Sequence, residues 1–253
     1  ALVQNGANAP AAAQTIINGV INSGGTTTIT GEADVLFGAD GDVIGVADTV
    51  SIAAATGDIV MTNGSIIDSG SGLIDMDANN SIILGALLTT TEVQVTSVNG
   101  AIIDGGDDEG GDINAATASL RAETGIGTDA NPLETVSDPS TTTLIVGATT
   151  DTGDIALSNT GALVVGTVDG LSGATVEDSA NDNSGADNIT LAAGSPLTVT
   201  TDVVNNDGGN ITLTASNDGG DDDNLTISAN VTATGGNGAI DLNAGTDLFI
   251  DTS

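Results

Sequence analysis

The feature that most restricts how this chain can fold is a short recurring unit in which Gly, Asp or Asn precedes alternating aliphatic and small polar residues. It occurs as Gly57-Asp-Ile-Val-Met-Thr-Asn63, Gly153-Asp-Ile-Ala-Leu-Ser-Asn159, Asn188-Ile-Thr-Leu-Ala-Ala193, Asn210-Ile-Thr-Leu-Thr-Ala215 and Ala239-Ile-Asp-Leu-Asn-Ala244. A period of two places apolar side chains on one face of a strand and polar ones on the other. Ile189 and Leu191 then point inward with Thr190 outward, and Ile211, Leu213 and Ala215 point inward with Thr212 and Thr214 outward. The anchor isoleucines Ile155, Ile189, Ile211 and Ile240 recur at uneven intervals, so loops of different length join equivalent strands. Between the strands lie Gly105-Gly-Asp-Asp-Glu-Gly-Gly111, Asn205-Asn-Asp-Gly-Gly209 and Asn217-Asp-Gly-Gly-Asp-Asp-Asp223. Such clusters supply positive-φ positions and side-chain-to-backbone turns.

A unit of this size cannot bury its inner face alone and gains a core only when neighbours stack on it. The sequence therefore predicts an all-β fold: a right-handed parallel β-helix, or β-solenoid, of roughly 10 coils, its hand following the general preference of parallel crossovers. Residues 1–253 read as one continuous solenoid, a segment of a longer array or a filament subunit. Composition supports a narrow lumen, because 39% of the chain is hydrophobic yet Phe37 and Phe249 are its only aromatics. Stacked columns of small and β-branched side chains suit that mixture. Pro10 to Ile21 carries the one helical pattern, with Ile16, Ile17, Val20 and Ile21 on a face, although Gly19 and the Ile pairs oppose it. Thr128 to Thr143, with Pro132 and Pro139, reads as the longest irregular excursion before the strand pattern resumes.

Thirty-five Asp and Glu stand against a single basic residue, Arg121, for a formal charge of -34. No cationic patch is available to release counterions from nucleic acid or to meet an anionic membrane. No apolar run approaches the roughly 18–20 residues of a spanning helix. His, Cys, Trp, Tyr and Lys are all missing, which removes the usual bases and nucleophiles near neutral pH. Paired carboxylates could in principle cleave glycosides. Against this, the aromatic platforms and basic clamps that hold sugars are reduced to two Phe and one Arg, so a non-enzymatic role is expected.

Ser97-Val-Asn-Gly-Ala-Ile-Ile-Asp-Gly105, Asp112-Ile-Asn-Ala-Ala-Thr-Ala-Ser-Leu120, Thr124-Gly-Ile-Gly127, Asn131-Pro-Leu-Glu-Thr135, Gly153-Asp-Ile-Ala-Leu-Ser158 and Gly166-Thr-Val-Asp-Gly-Leu-Ser-Gly173 resemble the repeats of giant bacterial surface proteins of the filamentous-haemagglutinin-like type. The likeness spans about residues 57–253 and, more loosely, the start. It implies a secreted right-handed parallel β-helix, at the cell surface or beyond it, in the shaft of an adhesin or fibre, and it carries over no catalytic residue. Both ends read as uncapped, so end-to-end self-association is expected. The alternative is a calcium-dependent adhesin module of tandem β-sandwich domains, which would need antiparallel strands.

No cofactor is expected beyond calcium, whose candidate ligands lie in the acidic turns. One group is Asp107, Asp108, Glu109 and Asp112, and the other is Asp218, Asp221, Asp222 and Asp223. Hard cations seek clustered carboxylate and carbonyl oxygens, but solvated turns are the leading reading of the same residues. The glycine-rich calcium nonapeptide appears only as an echo at Gly38-Ala-Asp-Gly-Asp-Val-Ile44, and the EF-hand pattern is absent. Arg121 and Glu123 lie two apart on a presumed strand, which predicts an exposed ion pair of about 0–1 kcal/mol.

Overall fold

The computed structural model describes residues 13–106, 111–137, 143–177, 186–217, 219 and 222–251. All regular elements among them are strands. Three sheets line a solenoid, each built from successive coils, the second and third running its length and the first stopping partway. The first holds Thr15–Ile17, Val35–Phe37, Ile59–Met61, Ile82–Leu84 and Ile102–Asp104. The second is 10-stranded, from Ile21–Asn22 to Ile240–Ala244. The third runs from Thr27–Gly31 to Leu248–Ile250 and carries a side branch of Ala174–Val176, Val203–Asn205 and Val231–Ala233. About nine turns result. Among the described residues every strand-to-strand pairing is parallel except one hairpin, Thr167–Val168 with Leu171–Ser172. The tandem β-sandwich alternative is thereby overturned: coils that return over themselves pair each strand with its equivalent in the next coil, never with a reversed neighbour.

The anchor residues of the repeat fall in register. Ile155 pairs Ile189, Ile189 pairs Ile211 and Ile211 pairs Ile240, while Leu157, Leu191, Leu213 and Leu242 form the adjoining column. Burial alternates as the period-two pattern requires, with Ile189, Leu191, Ile211 and Leu213 closed to solvent and the threonines between them partly open. The aliphatic columns form one continuous core that contains Phe37 but not Phe249.

An Asp or Asn stands immediately before several strands of the first and second sheets, and there it has a defined task. Asp154 Oδ1 accepts the amide of Asn188 at 2.7 Å, Asn188 Oδ1 accepts that of Asn210 at 3.0 Å, and Asn210 Oδ1 accepts that of Ala239 at 2.9 Å. Asp34, Asp58 and Asp42 do the same for Asp58, Ser81 and Ile66. Each side chain reaches one coil along and satisfies a backbone donor at a corner, where no strand partner is present. Gly209, just before Asn210, lies so close to the preceding coil that a Cβ there would run into the carbonyl oxygen of Asp187. The Gly-Asp/Asn-Ile signature is therefore a corner code: the first residue admits close backbone approach, the second caps the next coil and the third enters the core.

Two expectations change. Thr15–Ile17 and Ile21–Asn22 are strands, so the Pro10 to Ile21 segment forms no helix over its described part, residues 1–12 lying outside it. The Thr128 to Thr143 excursion contains the second-sheet strand Leu133–Ser137. Its inward residues after Leu133 are Thr135 and Ser137, which hid the apolar alternation. Both hydroxyls are satisfied inside, Thr135 donating to Asn159 Oδ1 at 3.0 Å and Ser137 to the Ala162 carbonyl at 2.9 Å.

Replacing Leu213 with Ala should cost about 2–5 kcal/mol through a cavity in the column. Thr212→Ala, one residue away on the outer face, should stay within about 0.5 kcal/mol. Denaturant unfolding followed by circular dichroism separates the two; equal effects would contradict the register.

Candidate metal centre

Among the described residues, one group of three carboxylates lies close enough to share an ion: Asp104, Asp112 and Glu134. One oxygen from each lies within 4.8 Å of the others. Asp104 closes the last strand of the first sheet: alternation from buried Ile102 past exposed Ile103 turns its side chain inward, in register with Leu84 of the preceding coil. A carboxylate thus stands where the column below holds a leucine, at the level where this sheet stops. Asp112 precedes Ile113–Ala115, and Glu134 is the second residue of Leu133–Ser137 one coil on. The last two are clamped by reciprocal backbone contacts. Asp112 N–H donates to the Glu134 carbonyl at 2.9 Å, and Glu134 N–H donates to Asp112 Oδ2 at 2.9 Å.

Burial is deep for two of the three, at 2% exposure for Asp112 and 6% for Asp104. Asp104 Oδ1 accepts from Gly106 N–H at 2.8 Å, whereas its Oδ2 is buried and receives no donor of the protein. Burial, followed by the charge of Asp104, pushes the Asp112 carboxyl up to about 9, against the lowering effect of the Glu134 backbone bond.

The turn carboxylates expected as ligands distribute differently. Asp107, Asp108, Glu109, Asp218 and Asp221 lie outside the described residues. Asp112 does join a cluster, but with Asp104 and Glu134. Asp222 is exposed and Asp223 is buried, and neither belongs to the group. The Asp222 carbonyl receives the Ser195 hydroxyl at 2.9 Å, and the Asp223 carbonyl receives Thr246 N–H at 2.7 Å. Asp104 and Glu134 were not singled out from sequence. Strand parity counted from Ile102 points Asp104 inward, a legible signal, whereas Glu134 comes close only through the pairing of successive coils.

Arg121 does not pair with Glu123. Its Nη1 lies 3.3 Å from Asp169 Oδ2, and its Nη2 donates to the Asp169 carbonyl at 2.8 Å. Asp169 and Gly170 both have positive φ, 48° and 70°, as a two-residue hairpin turn demands. The lone basic side chain of the sequence thus pins the hairpin that, among the described residues, leaves the coil path. No protein-family model, curated protein or solved structure matches this chain.

The raised Asp112 pKa sets the sign of a pH effect. Because the folded group holds its proton up to about 9 and the unfolded one only to 3.8, its stabilising effect is complete below about pH 4 and is lost as pH rises toward 9. In chelator, the melting temperature of Asp112→Asn should exceed that of the parent by a margin that widens from pH 5 to pH 9. Asn keeps the acceptor for Glu134 N–H, so a constant margin would show that Asp112 is ionised in the fold.

Proposed function

We propose that the chain is a structural element of an extracellular fibre or adhesin shaft, without enzymatic activity, whose task is to hold length and stiffness outside the cell. Parallel stacking of successive coils, from Thr15–Ile17 to Leu248–Ile250, carries this reading. Backbone ladders run along the solenoid axis, so a pull on the rod is borne by many hydrogen bonds in series and in parallel. The formal charge of -34 keeps rods apart laterally and suits a saline exterior that screens it.

End-to-end association completes the proposal. In the last described coil Ile240, Leu248 and Ile250 occupy inward positions yet are 41%, 44% and 59% exposed. In the first described coil Ile17, Ile21 and Ile29 are buried, but Thr15–Ile17, Ile21–Asn22 and Thr27–Gly31 are edge strands among the described residues, a parallel edge for the last coil of another copy to meet. Another coil laid on Ile240–Ala244 and Leu248–Ile250 would extend both columns and pair the bare strand edges.

Size-exclusion chromatography with light scattering and negative-stain imaging test this on the full chain. The expected result is rods that lengthen with concentration, and monomers once Leu248→Asp and Ile250→Asp are combined, with the β spectrum unchanged. A parent chain that stays monomeric at high concentration in physiological salt overturns the assembly.

A further inference from the structure

Buried carboxylates need a counter-charge, and this protein has almost none to give. Its one basic side chain, Arg121, is committed to Asp169. Asp104 and Asp112 are nevertheless closed from solvent side by side, and Asp104 Oδ2 is aligned with no donor. Backbone bonds fix the two buried carboxylates, Gly106 N–H on Asp104 and Glu134 N–H on Asp112. These contacts hold the oxygens in place without neutralising them.

We propose that Asp104, Asp112 and Glu134 form a binding site for one calcium ion, held between two successive coils where the first sheet ends. Three oxygens with no separation above 4.8 Å fit on the coordination sphere of calcium, whose ligands lie about 2.3–2.6 Å from the ion. Only oxygen donors are present, which selects a hard cation, and the chain has no His or Cys to hold a softer one. Magnesium demands near-octahedral geometry at about 2.0–2.1 Å, which a trio fixed by three separate backbone segments is poorly shaped to supply. The ion ties Glu134 to the coil of Asp104 and Asp112, a link across the solenoid beyond the strand ladder. It does not depend on the shaft role, since it concerns one site within the rod.

The test is calorimetric titration of the chelator-stripped full chain with calcium chloride, and separately with magnesium chloride, in about 0.15 M salt to screen the diffuse acidic surface. The expected result is one saturable calcium site and a melting temperature raised by roughly 5–10 °C at a hundredfold excess over Kd. Asp104→Asn and Asp112→Asn should each weaken calcium at least tenfold, and Glu134→Gln, at the open side of the trio, supplies a third variant should the buried ones fold poorly. Absence of a saturable site, uptake unchanged in the variants, or equal affinity for magnesium overturns the proposal.

Discussion

The structure rests on backbone hydrogen bonding from each coil to the next, with strand residues facing their equivalents apart from one shift at Leu88/Thr89. Parallel pairing sets the spacing, and the inward columns hold the register, because a slip of one residue would turn Ile and Leu outward and Thr inward along a whole strand. The corners are the weak points of such a stack, since chain that turns away from one sheet toward the next loses its ladder partner. Asp154, Asn188 and Asn210 restore it by lending a side-chain oxygen to the coil above. This explains why a chain so rich in Asp and Asn can be so regular. Many of its polar turn residues act as intercoil acceptors rather than as solvated decoration.

Much of the fold is legible in the sequence because the inner and outer faces have different chemistry at period two. Ile155, Ile189, Ile211 and Ile240 were recognisable as equivalents despite uneven loops, and they stack. Where an inward position is polar the signal fails, as at Leu133–Ser137, whose Thr135 and Ser137 are satisfied by Asn159 and a carbonyl rather than by apolar neighbours. Contacts set by tertiary pairing were also out of reach. Arg121 reaches Asp169 on a hairpin 48 residues away, and no local pattern marks that turn as its partner.

The carboxylate trio shows the same division. Acidic turns drew attention to Asp112, but its companions come from a strand end and from the following coil. Asp104 was readable by parity; Glu134 was not, since its approach depends on how Leu133–Ser137 pairs with Ile113–Ala115. In a chain with a single basic residue, such a pocket places a cost on folding that a proton on Asp112 relieves in part. A bound cation would relieve it in full and would stiffen the solenoid at the level where its first sheet ends.

The register itself is the central claim, and cysteine pairing reads it directly in a chain without native cysteine. Thr190 and Thr212 are partners on the outer face of adjacent coils, at a Cα spacing of about 4.8 Å that a disulfide can bridge. The account predicts that Thr190→Cys with Thr212→Cys oxidises readily to an intramolecular bridge, while Thr190→Cys with Thr214→Cys, displaced along the strand, stays reduced. The reverse outcome, with the displaced pair closing and the register pair open, would contradict it.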